Sequence, residues 1–277
     1  MRPTAKARLP DAAPFAAADI GRRVNAERLA LLGWGRAILL QLAHPLIAAG
    51  VYEHSAFRAS ARVSATRLHA TVRAMLGLTF GTDAERDAVL EAIRTIHRRV
   101  NGSLSTAVGS FAAGSPYSAE DPALVEWVHV TLLESVPLVF ELFVAPLSEA
   151  ERDEYCDQAA WVAIALGARP SDVPRSWAAV RDRLERGYAS GDITVGPQAR
   201  ELGRAIVAPT IGRLMPPAAW LNRLVTIGLL PGHVRDQYGF AWSDRRQRTL
   251  ERVIPAVRAT RRRLPDAVAL WPEARQR

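Results

Sequence analysis

The stretch Asn25-Ala26-Glu27-Arg28-Leu29-Ala30-Leu31-Leu32-Gly33-Trp34-Gly35-Arg36-Ala37-Ile38-Leu39-Leu40-Gln41-Leu42-Ala43 decides the fold. Its apolar residues fall at 29, 31, 32, 38, 39, 40 and 42, which covers nearly the whole circumference of a helix. A helix apolar all round has to be surrounded by other elements, so it is expected at the centre. Pro45 should kink or end it. The apolar run over 29–52 has the length of a membrane span. Arg36, Gln41, His44 and Pro45 interrupt it, and each is costly in hydrocarbon. A buried core helix is the expectation, with no stable membrane insertion.

Outward from this stretch the patterns are helical throughout. A second helix is predicted over 64–80 and a third over 82–100. The third opens on Thr82-Asp83-Ala84-Glu85, which has capping-box spacing. The segment 102–116 is rich in Gly, Ser and Ala and reads as a loop, placed to act as a lid. Asp121-Pro122 suits an N-cap followed by the first helical position. That helix is expected to reach about residue 144, kinked at Pro137. Ser148-Glu149-Ala150-Glu151 repeats the capping box and opens a helix ending at Gly167. Further helices are expected over 174–187, 197–207, 217–229 and 243–263. No segment alternates with period two. The reading is a single all-α domain over 19–277, behind a polar, mobile arm over 1–18.

Composition narrows the function. The chain has 277 residues, of which 49% are hydrophobic, enough for a real core. Cys156 is the only cysteine, which excludes a disulfide framework and any all-Cys zinc or iron–sulfur site. The net charge is +8, but Lys6 is the only lysine, and the arginines come with a general alanine richness. This looks like compositional bias, so the charge does not argue for nucleic acid as a partner. Residues 1–23 contain no apolar leader, and Arg22-Arg23 is followed by Asn25, Glu27 and Arg28, unlike an export signal. A cytoplasmic location is expected.

Common catalytic motifs are missing: no Walker loop, no Gly-x-Ser-x-Gly elbow, no His-Glu-x-x-His. Glu126-Trp127-Val128-His129 matches one half of a di-iron site, but no second Glu-x-x-His accompanies it. What remains is histidine placement. His44, His97 and His129 all sit in apolar helical patterns. Singly, each reads as a hydrogen-bonded core residue. Together they suit a large apolar cofactor such as haem, which needs only one protein ligand. Arginine pairs well with haem propionates, and Arg36, Arg58, Arg62, Arg67, Arg94 and Arg98 lie on the same helices or their connections.

At these residues a family resemblance appears. Gly35-Arg36-Ala37-Ile38-Leu39-Leu40-Gln41-Leu42-Ala43-His44-Pro45, Ala48-Ala49-Gly50-Val51, His54-Ser55 and Phe57-Arg58 resemble the opening of the MpaB-type oxygenases. That family includes the catalytic domain of rubber oxygenase, the latex-clearing protein. The likeness continues through Arg67-Leu68, Thr71, Phe80-Gly81-Thr82, His97, Tyr117, Asp121-Pro122 and Trp127-Val128-His129. It extends to Gly228-Leu229-Leu230-Pro231, Arg235, Tyr238-Gly239 and Trp242.

The resemblance implies a globin-like helical domain with a buried haem b pocket. By motif, His97 matches the proximal iron ligand, and Arg67 and Thr71 match a distal arginine and threonine. His129 matches a later-helix histidine that acts as a base or hydrogen-bonding group. His44 is the alternative ligand, and Arg36 a candidate cofactor contact. The family's distal lysine, just before the threonine, is here Ala70, so a lysine-closed iron is not expected. The function implied is a haem b-dependent oxygenase acting with O2 on a small or medium apolar, lipid-like or isoprenoid-like substrate. An electron donor is a partner that this chemistry allows. The alternatives are a non-catalytic haem or apolar-ligand carrier and a cofactor-free helical scaffold.

Overall fold

A computed structural model describes residues 19–54, 61–208 and 216–275, and the backbone alone for 61–68. The arm over 1–18 and Arg58 lie outside the described residues, as do the side chains of Arg62 and Arg67.

The 25–43 stretch is interrupted rather than continuous. Helix α1 (Ile20–Ala26) stops at Glu27, whose backbone is extended, and a 3₁₀ turn (Arg28–Ala30) leads into α2 (Leu31–Leu42). The break has a physical cause. Glu27 is buried, and its carboxylate accepts hydrogen bonds from Arg261 Nε at 2.8 Å and Nη2 at 2.6 Å. A buried carboxylate needs such a partner, and a regular helical path would not deliver it.

Pro45 acts as expected. It starts α3 (Pro45–His54), which leaves α2 at 106°. Then come α4 (Ala61–Phe80) and α5 (Asp83–His97). Both halves of the Thr82–Glu85 capping box form. The Gly/Ser-rich segment contains a small antiparallel hairpin, a departure from the purely helical expectation. Strand β1 (Asn101–Ser103) pairs with β2 (Pro116–Ser118), Gly102 opposite Tyr117. Its far turn is held by paired backbone bonds between Val108 and Phe111, and Ser110 Oγ donates to Asp192 at 2.6 Å. The tip is therefore anchored to residues near 192.

Asp121 caps α6 (Pro122–Phe143), which continues through Pro137. The Ser148–Glu151 capping box opens α7 (Glu149–Ala165). The remaining elements are α8 (Trp177–Ala189), α9 (Pro197–Val207), α10 (Pro216–Gly228), α11 (Gly232–Gln237), α12 (Asp244–Arg263), α13 (Asp266–Ala269) and α14 (Pro272–Arg275).

Helices α2 and α6 form the axis around which the others pack. A Cβ on Gly33 would lie 2.5 Å from the Ser135 carbonyl, so glycine is what lets the two backbones come this close. Leu39, Leu40, Leu42, Trp127, Val130 and Leu133 fill the seam. Helix α6 is long and apolar enough to cross a membrane, but 72% of its most apolar window is buried inside the protein. The two ends of the domain also meet. Trp271 donates its backbone N–H to Ala26 O at 3.0 Å, and the Arg28 guanidinium lies 5.0 Å from the Trp271 ring centre.

Candidate functional site

A cavity of about 340 Å³ lies between α3, α5, α6, α7 and the base of the hairpin. That is within the range of small-molecule sites. Branched aliphatic side chains dominate its wall: Leu46, Ile47 and Val51 from α3, Leu124, Val125, Val128 and Leu132 from α6, and Val162 and Leu166 beyond them. No Lys, Arg, Asp or Glu is among the described lining residues.

Three imidazoles line this cavity: His54, His97 and His129. His129 projects from α6, three residues after Glu126, and is 8% exposed. Its Nε2 is buried with no hydrogen-bond partner among the described residues. Burial lowers its pKa to about 4, so the ring is neutral near pH 7. His97 is the last residue of α5 and is half-buried. Burial lowers its pKa too, partly opposed by Glu120. Beside it, Ile96 is 61% exposed, which marks this end as the mouth. The cavity thus runs from His97 at the rim to His129 inside. Neutral imidazoles are the form that binds metal or accepts a proton.

The rim is braced by a network anchored on Tyr117. The Tyr117 hydroxyl donates to Glu53 Oε2 at 2.5 Å. His54 Nε2 lies 3.2 Å from the same hydroxyl and 3.1 Å from the Asn101 carbonyl. A carbonyl only accepts, so His54 carries a proton on Nε2 and donates. Burial, then the Glu53 carboxylate, push the Tyr117 pKa up, keeping the phenol protonated. Gly102 makes room, since a Cβ there would lie 2.5 Å from the Tyr117 hydroxyl. Tyr117→Phe removes the bond to Glu53 and should cost about 1 kcal/mol, a modest figure because Glu53 is exposed. Urea unfolding of the variant measures it.

The other sequence candidates sit elsewhere. Arg36 is 4% exposed and fully engaged in a clamp. Its Nη2 donates to Glu134 Oε1 at 2.9 Å and its Nη1 to Glu134 Oε2. Nη1 also reaches Ser135 Oγ, and Nε reaches the Leu229 carbonyl, both at 2.7 Å. Arg36 does not line the cavity. His44 lies at the α2–α3 bend, its ring centre 5.1 Å from that of Phe111, and is not among the lining residues. Its Nδ1 is buried without a partner, and burial lowers its pKa to about 4.

Arg94 donates to the Ala165 carbonyl through Nε at 3.1 Å and Nη2 at 2.5 Å. Arg98 pairs with Glu91 at 2.9 Å. Thr71 is exposed on α4 and does not line the described cavity. The α4 backbone puts Arg67 one turn before it. Glu126 of the Glu-x-x-His pattern is held by Arg183 at 2.8 Å, and no group of three or more metal-binding side chains occurs among the described residues.

Residues 21–259 match the family model for the catalytic domain of the ER-bound oxygenase mpaB/B'/rubber oxygenase. The chain belongs to this oxygenase family. It is thus an oxygenase catalytic domain, and O2 use follows from that membership. Similar proteins include the uncharacterized proteins Mb2261 of Mycobacterium bovis and Rv2237 of Mycobacterium tuberculosis. Each is 26% identical over 238 residues, covering 86% of this chain and 86% of the relative. No solved structure matches the chain.

Of the residues singled out from sequence, the fold brings His97 and His129 to one cavity. Sequence reasoning assigned no role to Tyr117, His54 or Glu53. The signal was present in Glu53-His54 at the end of α3, but the hairpin that presents Tyr117 to them was not foreseen.

Proposed function

We propose that this oxygenase domain uses haem b, held by His97 in a globin-like pocket, and oxidises a small or medium apolar substrate with O2 in the cytoplasm. The observation that carries this reading is one apolar cavity bearing two neutral imidazoles, with the buried Nε2 of His129 left unpartnered. An orphaned nitrogen in such a wall fits a site that is completed by a bound group.

The residues present suit haem in their chemistry. His97 supplies a neutral imidazole at the rim. Arg36, Arg94 and Arg98 are committed to protein partners, which leaves Arg58, Arg62 and Arg67; of these we assign the propionate to Arg67, the arginine that the family motif matches. When bound, haem would supply an iron centre able to activate O2. The chain's own part is to exclude water and orient the substrate. The aliphatic wall does the first. His129 Nε2, on a ring that is neutral near pH 7 and with no partner among the described residues, can make one hydrogen bond that orients the substrate. The Tyr117–Glu53–His54 network fixes the rim against which a substrate would enter.

The test is an absorption spectrum of protein expressed with haem supply. A Soret band is expected in the wild type, near-complete loss in His97→Ala, and retention in His129→Ala. A band that survives His97→Ala overturns the ligand assignment. No band from a well-folded helical protein overturns the haem reading in favour of an apolar-ligand carrier.

A further inference from the structure

The inner end of the cavity holds one polar atom that the fold leaves unused. His129 Nε2 is buried and has no partner among the described residues, in a cavity also lined by Val125, Val128, Leu132 and Leu166. A buried nitrogen without a partner is costly, and native proteins keep one mainly where a ligand or water completes it. Arg183, the cation on the Glu126 side of α6, is bound to Glu126. No charged side chain lines the described wall that could neutralise an anion.

We propose that the His129 end receives the uncharged oxygen function, a hydroxyl or carbonyl, of an otherwise aliphatic substrate. The substrate class is then a neutral oxygenated lipid rather than a fatty acid or a phosphate ester. This deepens the oxygenase reading and rests on it for the ligand being a substrate. A hydroxyl entering the site exchanges its bond to water for a bond to Nε2. At the His129 end, away from the rim where Arg67 is assigned to a propionate, a carboxylate or phosphate would lose its hydration and meet no cation among the described lining residues. His129 stays neutral near pH 7, so it offers a hydrogen bond and no charge. Sites built to bond one hydroxyl also discriminate strongly against ligands that leave the site's polar atom unpaired.

Three probes on one straight chain separate the classes: decanol, decanoate and decyl phosphate. Each is titrated calorimetrically into the purified full-length protein near pH 7, with the Soret band recorded on the same sample. Decanol is expected to bind about tenfold or more tighter than either anion. His129→Phe should weaken decanol about tenfold, and His129→Gln, which keeps a hydrogen-bonding group, should restore much of the loss. Circular dichroism of both variants checks that they fold, and the Gln variant keeps the test informative if the Phe variant does not.

Decanoate or decyl phosphate binding as tightly as decanol overturns the proposal. So does a His129→Phe variant that folds and binds decanol unchanged. Loss of the Soret band in His129→Gln overturns it as well, because the nitrogen would then belong to iron. The two readings fail separately. A missing Soret band with the decanol preference intact removes haem and leaves the ligand class standing. A normal band with no preference removes the ligand class alone.

Discussion

Lowering the pH from 7 to 5 is expected to cost the fold about 4 kcal/mol, and a further step to pH 4 about 2 kcal/mol more. His44 and His129 are both buried, and burial brings each to a pKa of about 4. At His44, Asp192 and Asp121 pull upward and Arg183 pushes downward, but desolvation dominates. In the unfolded chain both rings take a proton near the ordinary value of about 6.5. Between these values the unfolded state binds more protons than the folded one, so stability falls as pH falls. Each histidine contributes about 2 kcal/mol of loss at pH 5 and about 3 kcal/mol at pH 4. Above the unfolded value the effect is absent.

Glu126 works in the opposite sense, since burial raises its pKa and protonation relieves an unfavourable buried charge. It offsets part of the acid loss. Urea unfolding at pH 7, 6 and 5 measures the sum. A double variant, His44→Asn with His129→Gln, should flatten the profile. A wild-type midpoint unchanged down to pH 5 would show that these rings are not desolvated as described.

Arg36→Met should destabilise the domain by about 4 kcal/mol. The guanidinium and its partner Glu134 are 4% and 17% exposed. They join α2 to α6, and Nε ties both to the end of α10 through the Leu229 carbonyl. Removing one partner strands a carboxylate in a largely dry seam, which costs more than the intact pair contributes. The double variant Arg36→Met with Glu134→Leu should therefore recover much of the loss, because nothing charged is left behind. Chemical denaturation of the three variants closes the cycle. On the haem reading proposed above, the folded fraction of Arg36→Met should bind as much haem as the wild type, since Arg36 does not line the cavity. A selective loss of haem at unchanged stability would return Arg36 to the cofactor site.

These residues also show what could be read without a structure. The Thr82–Glu85 and Ser148–Glu151 boxes and the Asp121-Pro122 start were legible because capping is settled within four residues. The break at Glu27 was not, because its cause is Arg261, far along the chain. The hairpin escaped notice because strands of three residues leave no alternation to detect. The 102–116 segment reads from sequence as a lid, yet none of its residues is among those lining the described cavity, which is reached only by the flanking Val100, Tyr117, Ser118 and Ala119, and its tip bonds through Ser110 to Asp192. Helical periodicity marked His44, His97 and His129 alike as inward-facing. It could not say which side of the α2–α6 axis each would face, and that decides between packing and lining. The family motifs drew attention to His97 and His129. Only the packing of α3, α5, α6 and α7 makes them neighbours of one space.

The contact between the two ends of the domain has a dynamic consequence. Glu27 and Ala26 are held by Arg261 and Trp271, which lie beyond the 21–259 region matched to the family. The first helix and the last turns should therefore open and close as one cooperative unit, despite their separation in sequence. Amide protons of Val24 and Ala26 should exchange at the rate at which the tail detaches, and clipping the tail should release α1 while leaving the α2–α6 axis protected.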